Sequence, residues 1–150
     1  MKFYEYLDEN KDKIIDIYFD MDGVFVEYDI GNFDYSTIRP VNYVINIMKK
    51  LIEDGYNLKV LSVCRNNKIA EEKKEYMDKY IPFIKSEDRI LLSKEEFDGF
   101  ESNELKSNYL KENTNKDHIS ILIDDDSTII KKVVKENNDV KVFHVSSIID

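Results

Sequence analysis

Ile14-Ile15-Asp16-Ile17-Tyr18-Phe19-Asp20-Met21-Asp22-Gly23 decides how this chain folds. Residues 14–19 are short, β-prone and largely apolar, the pattern of a buried strand. The run stops abruptly at Asp20 and Asp22, and Gly23 marks a turn. If that turn is tight, one aspartate can offer its side chain to a ligand and the other its carbonyl. A later strand ends the same way: Ile119 to Ile123 is apolar and runs into Asp124-Asp125-Asp126.

Between and around these ends, strands alternate with helices. Residues 3–11 read as a short amphipathic helix with Phe3, Tyr4 and Leu7 on one side. Residues 24–37 are mixed polar and aromatic, an irregular loop or small hairpin. Pro40 opens a helix in which Val41, Val44, Ile45, Met48, Leu51 and Ile52 recur at helical spacing and Gly55 is the stop. Leu58 to Val63 is a second strand, about 68–80 a charged helix ending before Pro82, and Arg89 to Leu92 a third strand. A helix over about 102–113 precedes the 119–123 strand; residues 127–136 form another, and Val140 to Val145 a fifth strand. This order predicts a parallel sheet with helices on both faces. Ligands of such sheets bind beyond the carboxyl ends of the strands, so both acidic strand ends face one site if their strands are neighbours.

Composition bounds the rest. A length of 150 residues suits one domain, 1–150, and 42% hydrophobic with 35% charged residues suits a packed globular chain. A formal charge of −9 argues against long nucleic acid as partner, while a bound divalent cation still allows a phosphorylated one. The single cysteine, Cys64, cannot form an internal disulfide and fits a reducing compartment. The first residues carry charge where a secretion signal needs an apolar run, and no stretch reaches membrane-spanning length. The expectation is a cytoplasmic protein with no membrane contact.

Gathering Asp20, Asp22, Asp124, Asp125 and Asp126 without compensation would be costly, because close like charges repel. A hard cation with oxygen ligands resolves the conflict, and Mg²⁺ commonly takes one or two carboxylates plus waters and a substrate phosphate. A carboxylate that attacks phosphorus forms an aspartyl phosphate and splits one displacement into two. The phosphoryl oxygens then need donors and positive charge. Ser62, ending the second strand, and Lys106, on the helix before the fourth, are placed to supply them.

The motifs in this order resemble those of the haloacid dehalogenase (HAD) superfamily of phosphatases. Asp20-Met21-Asp22-Gly23-Val24 is similar to its first motif, and Ser62 after Leu58-Lys59-Val60-Leu61 to its second. Lys106 in Leu105-Lys106-Ser107-Asn108-Tyr109-Leu110 is similar to its lysine motif, and Ile121-Leu122-Ile123-Asp124-Asp125 to its acidic fourth. The resemblance runs from about residue 14 to residue 144. It implies a three-layer Rossmann-like α/β core, a five-stranded parallel sheet in the order 5-4-1-2-3, and Mg²⁺ as cofactor. It implies Asp20 as nucleophile and metal ligand, and Asp22 as general acid and base that binds metal through its carbonyl. Ser62 and Lys106 would hold the phosphate, Asp125 would ligate the metal directly, and Asp124 directly or through water. An acid at position 22 favours phosphate esters over dehalogenation. The short motifs most resemble the deoxyribonucleotidase-like branch.

Each residue also has a plainer reading. An Asp-x-Asp-Gly turn suits calcium loops, but the EF-hand continuation is absent. Asp126 or Ser127 can cap the following helix. Ser62 can simply satisfy backbone groups at a strand end. Lys94, directly after the third strand, is the alternative phosphate lysine, and Lys111 a further rival. Arg65 and Asn66 lie past Ser62 at the active edge, as substrate contacts or as surface residues. Cys64 reads as structural, and His118 and His144 as a loop and a strand-end residue.

No large cap fits between these motifs. The segment at about 24–39, with Phe25, Tyr28, Phe33 and Tyr35, is a small flap or else packs on the core. An open site suits a large substrate, or one covered by a neighbouring subunit of a homo-oligomer. A nucleotide or other small phosphomonoester stands first. Phosphotransfer to another acceptor (a mutase), a phosphatase on a macromolecular end, and a non-catalytic metal- or phosphate-binding regulatory module are the alternatives. A receiver-like signalling domain would place its acceptor aspartate after a later strand.

Overall fold

A computed structural model describes residues 1–149 of the chain. In chain order the elements are α1 (Phe3–Glu9), β1 (Ile15–Phe19), α2 (Asn42–Glu53), β2 (Asn57–Cys64), α3 (Asn67–Tyr80), β3 (Arg89–Ser93), α4 (Ser102–Asn113), β4 (Ile119–Asp124), α5 (Ser127–Glu136) and β5 (Val140–His144). The strands form one sheet in the order β3-β2-β1-β4-β5, every pairing parallel. Counted from the other edge, this is the expected 5-4-1-2-3.

The side-chain alternation of β1 divides the core. Ile15, Ile17 and Phe19 pack with Phe3, Leu7, Val44, Ile45, Met48 and Met77, the buried faces of α1, α2 and α3. Tyr18 points the other way, into Leu61, Leu105, Leu110, Leu122, Ile129 and Val133 beneath α4 and α5. The result is three layers, with the sheet in the middle. The chain builds β1, β2 and β3 toward one edge, then returns to lay β4 on the other flank of β1. The crevice at that reversal opens between the carboxyl ends of β1 and β4. Phe19 pairs with Ile123, and the Asp20 N–H donates to the Ile123 carbonyl at 3.0 Å, so the two acidic ends leave the sheet side by side.

The helix ends follow local chemistry. Gly55 takes φ +97°, and the Gly55 and Tyr56 amides close on the Ile52 and Leu51 carbonyls to terminate α2. Pro40 does not open that helix: α2 begins at Asn42, with Val41 as N-cap, and Pro40 pairs with Val26 in an antiparallel bridge. The bridge uses Glu27 N–H to Arg39 O and Val41 N–H to Phe25 O, so Pro40 needs no N–H of its own.

That bridge also closes the base of the 24–39 segment, which divides into two parts. Val24, Phe25 and Val26 are buried core, as the packing reading of this segment has it. Tyr28, Ile30 and Phe33 are exposed at its tip. Among the described residues no helix is long and apolar enough to cross a membrane.

Candidate active site

Asp20, Asp124 and Asp125 each bring a carboxylate oxygen within 4.8 Å of the others. Lys106, fully buried on α4, donates to Asp20 Oδ1 and to Asp124 Oδ2, each at 2.7 Å. The other oxygen of Asp124 accepts the Asp126 N–H at 3.0 Å. Asp126 caps α5 at the rim of the same cavity, its Oδ1 accepting the amides of Thr128 at 2.8 Å and Ile129 at 3.4 Å. The triplet therefore splits, with Asp124 and Asp125 in the carboxylate cluster and the Asp126 carboxylate engaged as the helix cap. Gly23, at φ +80°, makes the approach of the two loops possible, because a methyl group there would overlap the Asp125 carboxylate.

Charge in this site is under strain. Burial pushes the Asp20 carboxyl up to about 7, helped by the Asp124 charge and opposed by Lys106. Asp125 is raised as well, by burial and then by Asp124. Burial would lower the Lys106 ammonium, but Asp20 and Asp124 together outweigh it and hold it above the ordinary lysine range. Lys106 thus stays charged and the unresolved repulsion rests on the acids. The donor set is all carboxylate oxygen, which suits a hard divalent cation such as Mg²⁺.

Asp22 stands apart from this cluster. Its Oδ1 accepts the Tyr35 hydroxyl at 2.7 Å, and its Oδ2 accepts Lys73 Nζ at 2.9 Å. Lys73 also donates to Ser62 Oγ at 2.8 Å and to the Val63 carbonyl at 3.1 Å. Neither Lys73 nor Tyr35 was among the expected site residues. Lys73 sits in a charged helix and is outwardly one more surface lysine, yet it falls in the buried stripe Ile69, Ala70, Lys73, Tyr76, Met77. A lysine at a core position of a helical repeat is the signal that could have found it.

The other expected residues divide. Ser62 is buried and opens on the site: with Asp20, Asp22, Tyr28, Ser102, Lys106 and Asp125 it lines a cavity of about 270 Å³. Lys94 is half-exposed; its backbone N–H continues the β2–β3 ladder to Cys64 O at 2.9 Å, and the carboxylates pair with Lys106 instead. Asn66 caps α3, accepting the Ile69 N–H at 2.8 Å. Arg65 is exposed and lies 4.2 Å over the Phe33 ring of the flap. Cys64 is buried with its thiol pushed up by burial. His144 bonds Ser146 beyond β5, and His118 pairs with Asp16 at 2.8 Å near a separate 450 Å³ hollow at the amino-terminal ends of the strands.

Solved structures share this architecture. Over 87% of this chain and 45% of the other, it matches a chain of a Pnkp1/Rnl/Hen1 complex with a TM-score of 0.69 at 18% identity. The phosphatase-domain-containing N-terminal part of BF1531 from Bacteroides fragilis, crystallised with Mg, matches at TM-score 0.60 and 16% identity, over 89% of this chain and 36% of that one. The HAD domain of the effector Lem4 from Legionella pneumophila matches at TM-score 0.53 and 12% identity, over 88% and 85%.

The fold is that of a HAD domain.

The likeness does not single out the deoxyribonucleotidase branch. The chain spans under half the length of the first two of these proteins. No protein-family model matches the sequence, and no curated protein does.

Proposed function

We propose that the chain is a Mg²⁺-dependent phosphomonoesterase that works through an aspartyl phosphate on Asp20. The observation that carries this reading is the separation of two kinds of acid at the β1–β4 crevice. Asp20, Asp124 and Asp125 converge around Lys106, while Asp22, two residues along, is held away from them by Lys73 and Tyr35. A nucleophile and a proton carrier need that division.

Asp20, Asp124 and Asp125 would hold Mg²⁺, which when bound supplies charge neutralisation for the nucleophile and the phosphoryl oxygens. An Asp20 oxygen attacks phosphorus and forms the new P–O bond as the bond to the leaving oxygen breaks, and Asp22 delivers its proton to that oxygen. Water then attacks the phosphoryl group, Asp22 takes its proton, and the bond to Asp20 breaks to release inorganic phosphate. Ser62 Oγ and Lys106 supply donors to the phosphoryl oxygens in both steps.

The open cavity and the exposed Tyr28 beside it favour a nucleotide or other small phosphate ester as substrate. A phosphorylated macromolecular end is the second reading. It is favoured by the open edge and by the likeness to a chain of an RNA repair complex, at TM-score 0.67 and 20% identity over 42% of that chain. Phosphate release from p-nitrophenyl phosphate with and without Mg²⁺, followed by a panel of phosphorylated metabolites, tests the proposal. Asp20→Asn should lower turnover by about 10³-fold or more. Undiminished turnover in that variant would sink the nucleophile assignment.

A further inference from the structure

We infer that Lys73 is a positioning residue, which fixes the proton-carrying Asp22 and the phosphate-site Ser62 relative to one another. The inference rests on the phosphomonoesterase reading and adds to it a residue that the family motifs quoted above do not contain.

An ammonium has three protons to give, and Lys73 gives them to three acceptors: Asp22 Oδ2, Ser62 Oγ and the Val63 carbonyl. The acceptors come from the β1 loop and from the end of β2, so one side chain from α3 ties two elements of the site together. Its exposure is 2%, and the residues above and below it in the helix are apolar or aromatic. A charge in that setting needs every donor used, and this one has them.

Two consequences follow for the reaction. Ser62 Oγ receives a hydrogen bond from Lys73, so its own proton is free to point into the cavity, toward a phosphoryl oxygen. Asp22 is anchored at Oδ2, which leaves Oδ1 to carry the proton that goes to the leaving oxygen. The present partner of Oδ1 is the Tyr35 hydroxyl, on the flap rather than the sheet. Tyr35 is the partner that a leaving group can displace, because Lys73 is held by two further bonds and packs inside the core.

The two esters that test this differ in how much they need a proton. A nitrophenolate departs readily without one; the alkoxide of glycerol 2-phosphate does not. Lys73→Met matches the length of the stem and the apolar stripe, and Lys73→Gln is a polar second variant should the first fail to fold. Melting temperatures identify the folded variant. If Lys73 orients Asp22, either folded variant loses at least about 10-fold more kcat on glycerol 2-phosphate than on p-nitrophenyl phosphate. Adding the substitution to Asp22→Asn then costs little beyond Asp22→Asn alone. An equal loss on both esters, or none, with the protein folded, overturns the role assigned to Lys73. A wild-type protein inert toward both esters overturns the phosphatase reading itself, and this inference with it.

Discussion

At the scale of single residues, the site depends on one buried acid. Asp20 is pushed from 3.8 up to about 7, chiefly by burial. Its folded-state pKa lies above its unfolded one, so its contribution to stability is complete below about pH 4 and is lost as pH rises through about 7. Asp125 is shifted in the same direction. Metal-free protein should therefore weaken between about pH 4 and about pH 7, the interval between the unfolded and folded values of Asp20, as a like charge develops beside Asp124. Asp20→Asn should remove most of this slope and be the more stable metal-free form at about pH 8, by on the order of 2 kcal/mol. Protons and Mg²⁺ compete for the same oxygens, so Mg²⁺ affinity should climb over the same range. Urea denaturation across pH and calorimetric Mg²⁺ titration read the two effects. A flat metal-free profile in the wild type would show that Asp20 is already ionised in the folded chain.

At the scale of elements, the β1–β4 pairing brings the two acidic loops together, and the missing side chain of Gly23 leaves room for the Asp125 carboxylate between them. Gly23→Ala faces both a positive φ and the Asp125 carboxylate, so the turn is strained and that carboxylate must leave its place in the cluster. Turnover should fall by about 10²-fold or more through misplacement of the acids. Mg²⁺ affinity should fall with it, while far-ultraviolet circular dichroism stays close to wild type. An unchanged Mg²⁺ affinity would contradict the loop approach described. The elements themselves were legible in the sequence because their signals are local: apolar strands, 3.6-residue stripes, Gly55 as a stop, and Asp126 as a cap. Asp20, Ser62, Lys106 and the 124–125 pair were legible because they close strands or follow a motif order. Lys73 and Tyr35 were not, since each earns its place by a contact between distant segments, 51 and 13 residues from Asp22. Asn66, expected at the active edge for its nearness in sequence to Ser62, has its side-chain oxygen engaged as the α3 cap. Pro40 reads as the start of α2 because a proline is tolerated in a helix's first turn, whereas the bridge to Val26 takes it first.

At the scale of the whole molecule, the β1–β4 crevice opens to solvent beside the exposed tip of the flap, at Tyr28, Ile30 and Phe33. An open edge imposes little steric limit on the substrate, so charge becomes the main discriminator. The chain carries a formal charge of −9, and its substrate in either reading is an anion. In the reading proposed above, a mononucleotide brings a small charge whose phosphate would be met locally by Lys106 and Ser62. A phosphate-ended oligonucleotide brings many phosphates that must lie over an acidic surface, and that repulsion is screened over about 8–10 Å at physiological salt. Raising ionic strength from about 0.01 M to about 0.15 M, at fixed free Mg²⁺, should therefore lower KM for the oligonucleotide severalfold and leave KM for the mononucleotide nearly unchanged. A nucleic-acid enzyme with a basic track behaves oppositely, losing affinity steeply as salt rises. A steep rise of oligonucleotide KM with salt would reveal a basic path across the surface, and would move a macromolecular end ahead of the small ester as the substrate of Asp20.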